Sequence, residues 1–461
     1  MKKALFIISL CCTSYFSFGQ WDSVGSGIGI NGYEPFAVLA MQEYNGNLYV
    51  GGTFTVAGSK TDTAIAIWNG TNWSAFANGL GGKYTTVEAF TIYNGSLCVG
   101  GYFTTAGGKV ANNIAMWNGT TWSTLGSGIK GTVYSLAVFN GNLYAGGIFD
   151  SADGKPVHDI TMWNGSTWSD VGGGVVQSGS GYPISIYSMI VYNNNLYIGG
   201  SFDTVGNQPI NNIAMWNGST WSAVGGGVGN PNESQIGVYT MAIWNGNLYV
   251  GGAFDTVGGK AIGAIAEWNG VTWLGLGKSN YAYDGVSTIT VYNSNLYVAG
   301  TFLGSIGGIQ ANNIAEWNGT VWSPLGSGVS FYPDSGGVDV IAPYGGYLYA
   351  GGGFHEAGSI NVRNIARWSS PTGINELSQS NSLNVYPNPS NGIFNVELKP
   401  NSEKLKIEVY NMMGEKLQEQ LTVDNAQLTI NLSGEPNGIY LYRLIDNSGN
   451  AVATGRLAVQ R

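Results

Sequence analysis

The sequence predicts an all-β protein: a seven-bladed β-propeller closed by its N-terminal strand, followed by a small C-terminal β-sandwich. Three observations carry this. First, a phrase of the form Asn-Gly-Asn-Leu-Tyr-Val-Gly-Gly recurs, with its Leu at Leu48, Leu97, Leu143, Leu196, Leu248, Leu296 and Leu348, in steps of 49, 46, 53, 52, 48 and 52 residues. A period near 50 marks a propeller or a solenoid, because each unit can bury its apolar face only against the next. Second, Gly supplies 73 of the 461 residues, aromatics make up 13% and charged residues only 10%, a composition poor in helix formers and rich in turn residues. Third, the seventh copy ends at Ile365-Ala366-Arg367-Trp368-Ser369-Ser370 without a second Trp strand. The missing piece stands near the start, where Trp21-Asp22-Ser23-Val24-Gly25-Ser26-Gly27 matches Trp122-Ser123-Thr124-Leu125-Gly126-Ser127-Gly128. A split repeat closes a ring and removes its exposed edges, whereas a solenoid would need two distinct caps.

Taken in order, residues 1–19 carry Lys2 and Lys3, the apolar run Ala4–Leu10, then small and polar residues, the pattern of a secretory signal peptide. Ser17 and Gly19 suit the cleavage positions, so Gln20 is expected to begin the mature chain. A lipoprotein reading is disfavoured because Leu10, rather than a small residue, precedes Cys11. Cys11 and Cys12 fall inside the removed segment. Cys98 is then the single thiol of an exported chain, which leaves no internal disulfide and assigns stability to packing. It stands where most other copies have Tyr and reads as a core substitution rather than a nucleophile. Past the apolar start, no run reaches the roughly 20 residues that a membrane span requires. The formal charge is −9, and −11 without Lys2 and Lys3, with Lys and Arg scattered singly. Phosphate-backbone binding therefore has no electrostatic source, and nucleic acid is not an expected partner.

Each repeat of the predicted propeller, residues 20–370, reads as four strands. In the third copy Val133–Phe139 alternates, Asn140-Gly141 turns and Leu143–Phe149 returns. A longer loop leads to Ile160–Trp163, then Asn164-Gly165 and Trp168–Val171. Asn-Gly between alternating runs signals a type I′ hairpin, whose two central residues need positive φ, so both Asn-Gly pairs are expected to make tight hairpins. The double Gly lets a neighbouring element approach the backbone. The Trp pairs (Trp68 and Trp73 in the first copy, at the same five-residue spacing through Trp317 and Trp322) are expected to fill the wedges between sheets. The double Gly after an apolar strand and the aromatic pair resemble kelch-type propellers, including the propeller domain of galactose oxidase, over roughly residues 21–370. The spacing between the two aromatics departs from the usual kelch pattern. The resemblance implies fold and leaves activity open, because propellers host many unrelated functions.

Residues 371–382 read as a linker rich in Ser, Asn and Gly. Residues 383–461 then show short alternating strands separated by turns, a small β-sandwich. This stretch, with Tyr386-Pro387-Asn388-Pro389, the strand containing Gly438-Ile439-Tyr440 and a basic last strand ending at Arg461, resembles the C-terminal sorting domain of type IX secretion in Bacteroidetes. The resemblance implies the type IX secretion machinery as a partner, passage across the outer membrane, removal of the sorting domain and release or surface attachment.

Strands in a blade alternate in direction, so both Asn-Gly turns of every repeat lie on one face. Sequence variety collects on the other, in the second-to-third-strand loops and in the segments that cross to the next blade. A binding site is expected on that loop-bearing face near the central channel. Tyr33, Glu34, Tyr182, Glu233, Tyr281, Tyr283, Asp284, Phe331, Tyr332 and Asp334, all on crossing segments, set aromatics beside carboxylates. Such a rim can stack on a sugar ring while its carboxylates accept hydroxyl protons, and it can equally meet a protein partner. Catalysis has thinner support. His158 and His355 belong to separated blades, the Cys and His pattern of a copper oxidase is absent, and no Ser-His-Asp motif is visible. The carboxylates of Asp284 and Asp334 could in principle do acid–base work. Asp150, Asp153 and Asp159 miss the spacing of the known calcium loop. No metal or other cofactor is expected. Asp-Ser/Thr-apolar triplets at Asp22, Asp62, Asp150, Asp203 and Asp255 resemble the O-glycosylation signal of exported Bacteroidetes proteins, or share a turn residue by repetition. The reading is a secreted or cell-surface, monomeric binding module for a glycan or protein. A secreted hydrolase or lyase and a non-catalytic structural surface protein are the alternatives.

Overall fold

The computed structural model describes residues 19–29, 37–61, 64–76, 79–176, 184–229, 237–277, 285–330, 337–370, 384–397, 406–411, 416–421, 428–445 and 451–461. The chain forms two compact units, Met1–Pro371 and Thr372–Arg461.

The described residues of the first unit hold seven antiparallel four-stranded sheets, one of them with an added short strand. Sheet one consists of Val38–Tyr44, Asn47–Gly52, Ile65–Trp68 and Trp73–Ala75, and the next five follow the same plan. Sheet seven takes Val338–Tyr344, Tyr347–Gly352 and Ile365–Ser369 from one end of the unit and Gln20–Ser23 from the other. Gln20, Trp21, Asp22 and Ser23 pair with Ser369, Trp368, Arg367 and Ala366. The expected closure is therefore present in hydrogen-bonded register. First strands of successive sheets pack on one another, and that of sheet seven packs on that of sheet one. The result is an all-β propeller.

Side chains explain the repeat. In most sheets the indole of the second Trp reaches back to a carbonyl of the preceding sheet: Trp168 to Leu125 at 2.9 Å, Trp221 to Val171 at 3.1 Å and Trp322 to Leu276 at 2.8 Å. Trp21 does the same to Leu325 at 3.0 Å, and Trp73 reaches Val24 at 3.0 Å across the junction. The two glycines have separate duties. A Cβ on the first would strike the β-branched residue of the next sheet, as Gly146 would strike Ile186 and Gly351 would strike Val38. A Cβ on the second, as at Gly52, Gly200 or Gly352, would strike a backbone carbonyl where the chain enters its own first strand, at Ala37, Ser185 or Gly337. Cys98 is fully buried and its thiol is pushed up to about 12 by that burial, which fits its reading as a core residue.

The two Asn-Gly turns differ. In the first, Asn140 and Gly141 have φ of 49° and 75°, the type I′ geometry expected. The second is a four-residue loop, because Trp163 pairs with Trp168. There Asn164 works through its side chain, whose Oδ1 accepts from the Ser166 and Thr167 amides, each at 2.9 Å. The expectation of a second tight hairpin is corrected accordingly: Asx-type capping, rather than left-handed tolerance, selects Asn here. The second-to-third-strand loops are themselves small hairpins, such as Val56–Ala57 with Lys60–Thr61, and they pair with the chain entering from the preceding repeat at Ile28–Gly29. The apolar residue of three of the Asp-Ser/Thr triplets (Ala152, Val205 and Val257) is buried in these hairpins, which gives that pattern a packing reason.

The second unit pairs a three-stranded sheet (Asn384–Tyr386, Ile393–Glu397, Leu428–Asn431) with a four-stranded one (Lys406–Tyr410, Lys416–Leu421, Gly438–Ile445, Ala451–Val459). Phe394, Val396 and Ile430 from the first meet Ile407, Val409, Tyr442 and Leu457 from the second in one core. This is the expected β-sandwich.

Candidate functional site

Each first strand carries a β-bulge at the same place. The register shifts between Val38 and Ala40, Val87 and Ala89, Val133 and Ser135, Ile186 and Ser188, Val238 and Thr240, Val286 and Thr288, and Val338 and Val340. The extra residue is therefore Leu39, Glu88, Tyr134, Tyr187, Tyr239, Ser287 and Asp339 in turn. A bulge takes one residue out of the ladder and re-aims its side chain. All seven are half-buried between neighbours that are mostly buried. They lie at the start of the innermost strands, which is the loop-bearing end of the channel.

These side chains converge. The rings of Tyr134 and Tyr187 are 5.9 Å apart at 43°, and those of Tyr187 and Tyr239 are 5.3 Å apart at 86°, so three consecutive sheets build one aromatic arc. On the remaining arc Glu88 and Asp339 flank Leu39, and their charges are felt by one another. Burial, reinforced by the Glu88 charge, holds the Asp339 carboxyl at about 7. Burial raises Glu88 as well. Burial and then the Glu88 charge raise the Tyr134 phenol, and burial followed by the proximity of Tyr187 pushes Tyr239 up to about 12. Hydroxyls beside the bulges tie the sheets together: Thr240 accepts from the Ile289 amide at 3.1 Å and Thr288 from the Ile341 amide at 3.3 Å. An aromatic arc facing two carboxyl groups, both of which burial shifts toward the protonated form, can stack on a ring and both donate and accept hydrogen bonds.

The ten residues expected on the crossing segments, Tyr33, Glu34, Tyr182, Glu233, Tyr281, Tyr283, Asp284, Phe331, Tyr332 and Asp334, lie outside the described residues. The chain re-enters beside the arc, since a Cβ on Gly285 would stand 3.5 Å from the Tyr239 ring. His158 and His355 belong to different sheets, where the backbone oxygen of His158 accepts from the Val175 amide at 3.1 Å and that of His355 from the Val362 amide at 2.8 Å. Asp150, Asp153 and Asp159 have separate partners: the Lys130 ammonium at 3.1 Å, the Ser127 amide and hydroxyl each at 2.8 Å, and the Phe149 amide at 2.7 Å. Asp159 is the acidic version of a recurrent buried Asn (Asn113, Asn212, Asn313, Asn364) with positive φ; burial lifts it to about 6. Among the described residues no three His, Cys, Asp or Glu side chains gather as metal ligands.

Sequence reasoning missed the bulge residues because plain alternation assigns them to a sheet face. The available signal was a column of varied, chemically rich residues between a β-branched residue and a mostly small one in all seven copies.

The second unit is tied at both ends. Asn388 donates to the Arg456 carbonyl at 2.7 Å and accepts from the Ala458 amide at 2.8 Å, which binds the Tyr386-Pro387-Asn388-Pro389 stretch to the last strand. The Tyr440 hydroxyl donates to Pro436 at 2.7 Å, and the Arg461 guanidinium donates to the carbonyls of Ser433 and Glu435 at 2.6 and 2.8 Å. Gly438 opens the strand that carries Tyr440.

Together the fold and the tail define a secreted β-propeller protein. Residues 384–460 match the family described as the secretion system C-terminal sorting domain, and residues 34–181 match the Rax2 C-terminal beta propeller domain. The sorting domain indicates export by type IX secretion, to the cell surface or beyond, and implies the machinery of that system as a partner. No helix among the described residues is long and apolar enough to cross a membrane. No curated protein matches the chain. Similar solved structures include a fungal alcohol oxidase of the AA5 family in complex with copper (11% identity, 96% of this chain and 100% of that one, TM-score 0.44). Others are an α-L-arabinofuranosidase from Clostridium thermocellum (16%, 50% and 88%, 0.25) and a Bacteroides ovatus xyloglucan GH43B protein (9%, 96% and 92%, 0.27).

Proposed function

We propose that the propeller, residues 20–370 in seven blades, is a monomeric binding module for a glycan at the loop-bearing end of its channel, and that residues 383–461, joined by a linker at 371–382, deliver it outside the cell. The observation that carries this reading is the arc of Tyr134, Tyr187 and Tyr239 facing Glu88 and Asp339. Aromatic faces take the carbon side of a sugar, while a few convergent polar groups fix its hydroxyls. The crossing-segment residues from Tyr33 to Asp334 would form the outer rim of the same site. The test is a glycan array probed with the mature chain, with Tyr187→Ala and with the triple change of Tyr281, Tyr283 and Tyr332 to Ala. Loss of an anchor aromatic weakens binding about 10–100-fold. Array binding that both variants retain in full, or no binding by the folded wild type, sinks the reading and moves the search to a protein partner.

One observation favours a second reading. A carboxyl held at about 7 beside another carboxylate is a pattern that separates acid from base in glycoside-cleaving enzymes. Turnover of an array-positive glycan, abolished in Asp339→Asn with binding retained, would establish it.

A further inference from the structure

A second cleft lies on the opposite face, among the Asn-Gly turns, where the sequence gives no reason to expect a site. It is bounded by Trp244, Asn247, Tyr249, Glu267 and Leu274 of sheet five and by Trp317 of sheet six, and measures about 410 Å³. Two departures from the repeat meet there. The residue before the first Trp is Ile67, Met116, Met162 or Met215 in sheets one to four, each packed into an inter-sheet core, and Arg367 in sheet seven, which lies over the Tyr347 ring. In sheets five and six it is Glu267 and Glu316. Leu274, 63% exposed, stands where sheets one to four and sheet six have Ser.

Sheets five and six build the same polar group and complete it differently. Glu267 accepts from the Asn247 amide beside Tyr249, and Glu316 accepts from the Asn295 amide beside Tyr297. In sheet six the chain finishes the group itself: the Ser370 hydroxyl hydrogen-bonds the Tyr297 phenol and accepts from Asn293 at 3.3 Å. Ser370 is two residues past Trp368. Two residues past Trp317 stands Gly319, without a side chain, and the cleft opens at that point.

We infer that this cleft is a saccharide site, distinct from the channel, in which a ligand hydroxyl takes at Tyr249 the place that Ser370 takes at Tyr297 in sheet six, with Glu267 beside it as an acceptor. The half-exposed Trp317 ring and Leu274 then face the carbon side of the sugar, the division of labour common to such pockets. The inference is independent of the channel reading. The test is saturation-transfer NMR on the whole mature chain with methyl glycosides of glucose, galactose, mannose and xylose. All variants are made in a Tyr187→Ala background, which silences the channel: Glu267→Met, which installs the residue of sheets two to four and so preserves the fold, and Leu274→Ser, which restores the repeat. Expected are transfer to at least one glycoside in Tyr187→Ala alone, affinity lowered about tenfold or more when Glu267→Met is added, through loss of a charge-assisted hydrogen bond, and a smaller loss when Leu274→Ser is added. Transfer to none of the four in Tyr187→Ala, or full signal with Glu267→Met added, would overturn it.

Discussion

Replacing Trp21 by Ala tests how the propeller is held shut. Trp21 is 4% exposed, its ring lies 5.2 Å from that of Trp368, and its indole donates to Leu325 across the boundary with sheet six. Truncating a buried Trp costs about 3–5 kcal/mol, cavity included. Unfolding about 350 residues carries an entropy of roughly 0.7 kcal/mol/K, so the midpoint should fall by about 4–7 °C. Trp221 provides the control: it is also 4% exposed and bonds Val171 at 3.1 Å, but it sits inside a sheet made from continuous sequence. Scanning calorimetry of both variants should give matching shifts, because the ring makes the two positions equivalent. If Trp221→Ala lowers the midpoint and Trp21→Ala leaves it within about 1 °C, the first strand does not close the last sheet and the reasoning fails.

Three further outcomes are expected. Asp339 is raised to about 7, so its burial penalty is absent below about pH 4, grows between about pH 4 and 7 and is complete above 7; Asp339→Asn should match wild type near pH 4 and exceed it by about 1–3 kcal/mol at pH 8, read from denaturant midpoints. Gly199→Ala meets the Val238 side chain and should cost about 1–3 kcal/mol, whereas Gly200→Ala meets the Ser185 carbonyl and should cost more or prevent folding, as measured by urea unfolding. This ordering accords with Ala299, which already replaces the first glycine of one repeat and leaves Gly300 in place. In the sorting domain, burial would raise Glu408, but hydrogen bonds from Tyr410, Arg443 and Lys406 bring it down to about 2. Its stabilising share is therefore present above the usual carboxylate range and lost as pH falls from about 4.5 towards 2, and Glu408→Gln should flatten that acid limb in circular dichroism.

What the sequence determined by itself was whatever repeats or is local. Seven copies of one phrase, the split of the last between Trp368 and Trp21, and Asn140-Gly141 as a type I′ turn were all legible, because period, pairing partner and backbone preference belong to neighbouring residues. The Tyr386-to-Pro389 stretch and Tyr440 likewise marked the tail before any contact was known. The tertiary structure decided what depends on one inserted residue or on closure of the ring. A bulge takes Glu88, Tyr134, Tyr187, Tyr239 and Asp339 out of the alternation that sequence reading assumes, and ring closure brings Glu88 and Asp339, remote in sequence, within reach of each other's charge. Glu267 and Glu316 look alike in sequence. Which of them faces an open cleft was settled by Ser370 and Gly319, residues that belong to the neighbouring sheet.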